Sequence, residues 1–169
     1  MADINGRSFS AKLLSTTGGG IYPVSYLKNQ NVADNGWLIQ DTDNQRYTPL
    51  RFDFIEARDD RLHYNISAAE GSGYAGAKLG VSRNGYLGFY SVANVSDFWK
   101  IELEGDPHQP DIVNFLLRDA QGHRVASVSE RIDSFWFSMH PVDRFKVHSF
   151  LNVERGDIVH FQAQILRYL

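Results

Sequence analysis

Apolar and polar residues alternate in short runs along most of this chain. Phe52-Asp53-Phe54, Leu62-His63-Tyr64, Trp99-Lys100-Ile101 and Val113-Asn114-Phe115 each read apolar-polar-apolar. That is the period of a strand with one face in a core. Turn chemistry separates the runs. Asn84-Gly85 stands between two apolar-rich segments, Arg58-Asp59-Asp60-Arg61 suits a tight turn, and Asp119-Ala120-Gln121-Gly122 ends on a glycine able to take a left-handed conformation. No stretch of a dozen residues carries a 3.6-residue period capped at both ends. The pattern predicts an all-β chain.

The runs also repeat. With an offset of 46 residues, Asp97, Trp99, Lys100 and Ile101 fall on Asp143, Phe145, Lys146 and Val147, and Asp111–Phe115 fall on Asp157–Phe161. Upstream, Val81-Ser82 meets Val128-Ser129 at 47, and Phe52-Asp53-Phe54 stands 47 residues before Trp99-Lys100-Ile101. The middle copy reads as four strands, roughly Ala77–Ser82, Tyr86–Ser91, Phe98–Glu104 and Asp111–Arg118. Three copies make twelve. Ala11-Lys12-Leu13 resembles Ala77-Lys78-Leu79 at a separation of 66, so an insertion lies between them. The polar stretch 29–46 is the place for it. Residues 1–169 are read as one domain whose core takes one aromatic from each copy, Phe52, Trp99 and Phe145.

Three four-stranded copies fit a pseudo-threefold β-trefoil, with a three-sheet β-prism as the alternative. Barrel closure removes the edges of so many short strands and favours the trefoil. On its hairpin Ser82-Arg83-Asn84-Gly85-Tyr86-Leu87-Gly88, the chain resembles the β-trefoil superfamily, in particular its fascin- and hisactophilin-like members. The Gln-x-Trp signature of ricin-type trefoil lectins is replaced by Leu50-Arg51-Phe52, Asp97-Phe98-Trp99 and Asp143-Arg144-Phe145. Gly18-Gly19-Gly20 is only a partial echo of jacalin-type prisms.

Composition narrows the chemistry. There is no cysteine, which removes disulfides, thiolate zinc sites and thiol nucleophiles. A net charge of −3 provides no basic field for phosphates, so nucleic acid is not an expected partner. No apolar run is long enough to cross a bilayer, and the start lacks the apolar segment of a signal peptide. A cytoplasmic protein, or one exported by a non-classical route, is the expectation.

The motifs of catalysis are missing. No His-x-His or His-x-x-x-His pair occurs among the six histidines. Asp41-Thr42-Asp43-Asn44 opens like a calcium loop, but Arg46 and Phe52 stand where such a loop needs glycine and glutamate. There is no Gly-x-Ser-x-Gly and no phosphate loop. Neither an enzyme, nor a cofactor, nor a metal site is expected.

What remains is a binding module. Trp37 within the 29–46 stretch, flanked by Asp41 and Asn44, reads either as a stacking platform for a ligand or as a plug over the barrel mouth. Asp97 and Asp143 precede the same strand in two copies; both fit a recurring turn, and both also fit a repeated ligand acceptor. The preferred partner at this level is a glycan. The alternatives are a protein, bound by a cytoskeletal or inhibitor type of trefoil, and a host receptor, bound by the head of a toxin.

Overall fold

A computed structural model of the chain describes residues 3–17, 20–26, 36–41, 47–70, 75–90, 97–105, 110–131 and 147–169. Every element among them is a strand. In chain order they are β1 (Phe9–Ser15), β2 (Tyr22–Tyr26), β3 (Leu38–Gln40), β4 (Leu50–Arg58), β5 (Arg61–Ala68), β6 (Lys78–Val81), β7 (Leu87–Tyr90), β8 (Trp99–Leu103), β9 (Ile112–Arg118), β10 (Ala126–Arg131), β11 (Val147–Asn152), β12 (Asp157–Ile158) and β13 (Phe161–Tyr168). The middle-copy strands lie within a residue or two of where the alternation puts them, and the strand in excess of the twelve expected is the two-residue β12.

Six strands close a barrel, in the cyclic order β1-β4-β5-β8-β9-β13, every pair antiparallel. One layer of its interior is a ring of six aromatics, one per strand. Phe9 pairs with Phe52, Tyr64 with Trp99 and Phe115 with Phe161 across neighbouring strands. All six are at most 1% exposed. Phe9 and Phe52 stack at 4.7 Å, Phe115 and Phe161 at 5.8 Å, and Tyr64 meets the Phe9 ring edge-on at 5.6 Å. The pseudo-threefold core is therefore present, with two aromatics from each repeat.

Three hairpins, β2/β3, β6/β7 and β10/β11, cover one end of the barrel. Each joins the other two: Ile39 pairs with Phe150, Trp37 bridges to Gly88, and Tyr86 bridges to Asn152. This closed barrel with a triangular cap is the trefoil arrangement.

Two expectations change. The 46-residue offset lays barrel strand β8 on the start of cap strand β11, whereas the partner of β8 under the threefold is β13. Phe145 lies outside the described residues, and Phe161 fills the third place beside Phe52 and Trp99. An apolar-polar-apolar triplet looks the same in a cap strand and in a barrel strand, so an ungapped alignment slips by one strand without losing its pattern. Likewise the stretch 29–46 is not one loop, because β3 runs through its middle.

The other end of the barrel is stoppered by the N-terminal segment. Ile4 joins the barrel core at 1% exposure, and the Tyr64 hydroxyl donates to the Ile4 carbonyl at 2.5 Å and to the Arg7 carbonyl at 3.2 Å. Arg7 also lies over the Tyr168 ring at 3.4 Å. Burial first, and the Asp3 charge second, push the Tyr64 phenol well above its ordinary value. The native state thus keeps the phenol proton where the unfolded chain gives it up. This contribution is complete below about pH 10 and falls as pH rises beyond it. Urea midpoints measured at pH 8 and pH 11 should show an alkaline loss that is smaller in Tyr64→Phe. An identical pH dependence in the two proteins would contradict this burial.

Candidate functional site

The centre of the cap is built from one aromatic of each hairpin. Gly36, in a left-handed conformation with φ of 63°, accepts from the Phe89 amide at 3.1 Å and leads directly into Trp37 ahead of β3. Tyr86 follows the Asn84-Gly85 turn, and Phe150 lies on β11. Trp37 stacks on Tyr86 at 4.8 Å, and Phe150 meets both edge-on at 5.7 and 5.8 Å. With Ile39 these rings form an apolar cluster separate from the barrel core. Phe150 and Tyr86 are buried, and Trp37 is partly exposed.

A polar edge adjoins the rings. The Tyr86 hydroxyl donates to the Glu130 carboxylate and accepts from Arg155 Nη2 at 3.1 Å, and Arg155 Nη2 is also ion-paired with Glu130. Burial, with the Glu130 acceptor next, pushes the phenol above its usual value, so it stays protonated at neutral pH. Nearby, Gln40 Nε2 donates to Ser149 Oγ at 2.7 Å and fastens β3 to β11. The arrangement offers a partly exposed indole beside a guanidinium held in place by a carboxylate. Among the described residues, the carboxylate beside the Tyr86 phenol, Glu130, is already paired with Arg155.

Of the residues expected to bind from sequence, the three that are described, Trp37, Asp41 and Asp97, do not gather here. Trp37 is in the cluster, which joins both readings of it: it closes the cap and keeps an exposed part. Asp41 lies beyond the far end of β3, about 13 Å along the strand from Trp37 at 3.3 Å per residue. It is buried, with Ser25 Oγ at 3.5 Å from its carboxylate. Asp97 Oδ2 accepts from the Val81 amide at 3.2 Å, tying the approach to β8 onto the β6 strand. Asn44 and Asp143 lie outside the described residues. The sequence reading missed Tyr86, Phe150, Glu130 and Arg155, which meet only across hairpins far apart in the chain. Tyr86 beside Asn84-Gly85 was the available signal.

The histidines described with side-chain partners each face a single carboxylate: His63 with Glu56 at 3.4 Å, His123 with Asp119 at 3.0 Å and His160 with Glu104 at 2.8 Å. Among the described residues, no three ligating side chains cluster as a metal site would require.

No family model matches the chain, and no curated protein matches it in sequence. Among solved structures it is similar to the double-headed arrowhead protease inhibitor A, determined in complex with two trypsins. The TM-score is 0.58, with 12% sequence identity over 98% of this chain and 94% of that chain. A likeness at that identity carries the fold alone, and the described residues form a β-trefoil.

Proposed function

We propose that this chain is a non-enzymatic binding module that takes a protein partner on the cap, around Trp37, Tyr86 and Arg155. One observation carries the reading: three separate hairpins bring a tryptophan, a tyrosine and an arginine edge to one partly exposed point. Those three residue types dominate the hot spots of protein interfaces. The similar trefoil named above was determined with two protein partners, which favours a protein over a glycan. The sugar-binding reading is less well supported, since Asp41 is buried and distant from Trp37. Nothing in the structure or the comparisons supports a toxin head.

Inhibition of a protease by a substrate-like loop would need an extended exposed segment to add to the enzyme's cleft. Among the described connections, the β4–β5 turn is not one. Its strands stay paired up to Arg58 and Arg61, and Asp59 and Asp60 both take left-handed φ values of 51° and 59°. The cap is the better contact surface.

The test is binding to immobilised trypsin-family proteases, run beside a glycan array. Saturable protein binding that free sugars do not displace is the expected result. Arg155→Ala should weaken it more than tenfold, a hot-spot loss of about 2 kcal/mol. Arg155 is mostly exposed, so the thermal midpoint of this variant should barely move. Trp37→Ala should lose binding as well, with a modest loss of stability because its ring is part of the cap cluster. Array hits displaced by a monosaccharide, or protein binding indifferent to both variants, would overturn the reading.

A further inference from the structure

The turn between β11 and β12 is exposed from Glu154 through Ile158, and its middle reads Arg155-Gly156-Asp157. Both of its ends are fixed. Asn152 Oδ1 accepts from the amides of Glu154 and Arg155 at the start, and Asp157 and Ile158 pair with Ser127 and Ala126 of β10 at the finish. Gly156 sits at φ of 114°, and a Cβ there would collide with the Ser127 carbonyl, so only glycine fits between the arginine and the aspartate.

We propose that this turn is the ligand of a receptor that reads Arg-Gly-Asp: a protein holding a divalent cation with a coordination position open to the aspartate, and an acidic pocket for the arginine. The proposal rests on the cap as a protein-binding surface and names the class of partner it takes. The charges favour it. Among the described residues, the turn and its contacts carry Arg155 and three carboxylates, those of Glu130, Glu154 and Asp157. Arg155 matches Glu130, so two carboxylates are in excess and the surface draws a cation. Glu154 leans over the neighbouring hairpin, with its Cγ 2.6 Å from where a Cβ on Gly85 would stand. Asp157 is exposed, and no hydrogen bond or ion pair among the described residues engages its carboxylate. An unspent carboxylate is a hard oxygen ligand suited to Mg²⁺ or Ca²⁺. Among the described residues no three ligating side chains come together to hold such an ion, so the ion comes with the partner.

Arg155 supplies the second contact. Its bonds to the Tyr86 hydroxyl and to Glu130 both use Nη2, and its side chain is 61% exposed. The donors on Nε and Nη1 are unspent among the described residues, and a guanidinium can take a further carboxylate on that edge. Because the backbone is already ordered at both ends, the partner is spared the ordering cost that a flexible peptide would add.

The test immobilises the whole chain and adds the soluble ectodomain of a receptor defined by its affinity for linear Arg-Gly-Asp peptides, with Mg²⁺ present. Saturable binding is expected, abolished by EDTA and displaced by free Arg-Gly-Asp-Ser but not by Arg-Gly-Glu-Ser. Asp157→Glu keeps the charge and shifts the carboxylate by one methylene; it should weaken binding by at least about tenfold at an unchanged thermal midpoint. Arg155→Lys loses the planar fork and should weaken binding as well. No binding, binding that survives EDTA, equal affinity of the Asp157→Glu protein, or Mg²⁺ taken up calorimetrically by the chain alone would each overturn the proposal. A protease complex that depends on Trp37 and Arg155, formed by a chain that this receptor ignores, would defeat the receptor assignment and leave the cap reading in place.

Discussion

Trp99→Ala is expected to lower stability by about 3–5 kcal/mol, the range for deleting a large buried aromatic, and to drop the thermal midpoint by roughly 6–20 °C. The Trp99 ring is fully buried opposite Tyr64, where it fills one sixth of the aromatic layer. The cost has a second source. Trp99 Nε1 donates to the Leu79 carbonyl at 3.0 Å, so a barrel strand is fastened to cap hairpin β6/β7 through an interior hydrogen bond. Truncation leaves that carbonyl without a partner beside a buried Leu79, which adds about 1–3 kcal/mol and places the loss at the upper end. Trp99→Phe separates the two sources, because it keeps most of the packing and loses only the donor. Denaturant unfolding of both variants is the measurement. A Trp99→Ala midpoint within a degree or two of the parent would mean that the ring is not in the core.

Trp99 also shows what the sequence made legible. Strand existence and inward register follow from alternation, because a one-residue slip would turn every core side chain to solvent. Phe52, Trp99 and Phe115 were therefore placeable from their neighbours alone. The identity of the third repeat was not. Residues 132–146 separate β10 from β11, and the alternation beyond them reads equally well as barrel or as cap. Phe161 takes the place that the ungapped offset gives to Phe145. The cap site was harder still. Trp37, Tyr86, Phe150 and Arg155 are brought together only by the order of hairpins around the threefold, and no local pattern marks a contact across more than a hundred residues. Asp97 bonds back to Val81, sixteen residues away across the β6/β7 hairpin, so its partner was not legible from its immediate neighbours.

The same hairpin order makes Asn152 the residue on which the cap depends, and Asn152→Ala is expected to cost about 2–4 kcal/mol. Its side chain is fully buried, yet every polar atom is satisfied. Nδ2 donates to the Asn84 carbonyl at 3.1 Å, and Oδ1 accepts from the amides of Glu154 at 2.7 Å and Arg155 at 3.2 Å. The Val153 amide adds a bond to the Gly85 carbonyl at 2.9 Å. One amide side chain thus shapes the turn after β11 and clamps the Asn84-Gly85 turn of the neighbouring hairpin against it. The fit is close enough that Gly85, at φ of 85°, would bring a Cβ to within 2.8 Å of Asn152 Oδ1 and 2.6 Å of Glu154 Cγ.

Removing the amide strands one carbonyl and two amides, each worth about 1–3 kcal/mol if left dry. Water reaches the exposed Glu154 and Arg155 and limits the sum. Asn152→Asp should be as damaging, since an unpaired carboxylate cannot donate to Asn84 and resists burial. Because Tyr86 follows that turn and Arg155 follows Asn152, both variants should also weaken partner binding at the cap at temperatures where the barrel is still folded. Chemical denaturation together with the near-ultraviolet signal of the stacked Trp37 and Tyr86 rings tests this. Unchanged stability and an unchanged aromatic signal in Asn152→Ala would show that the hairpins hold the cap without the clamp.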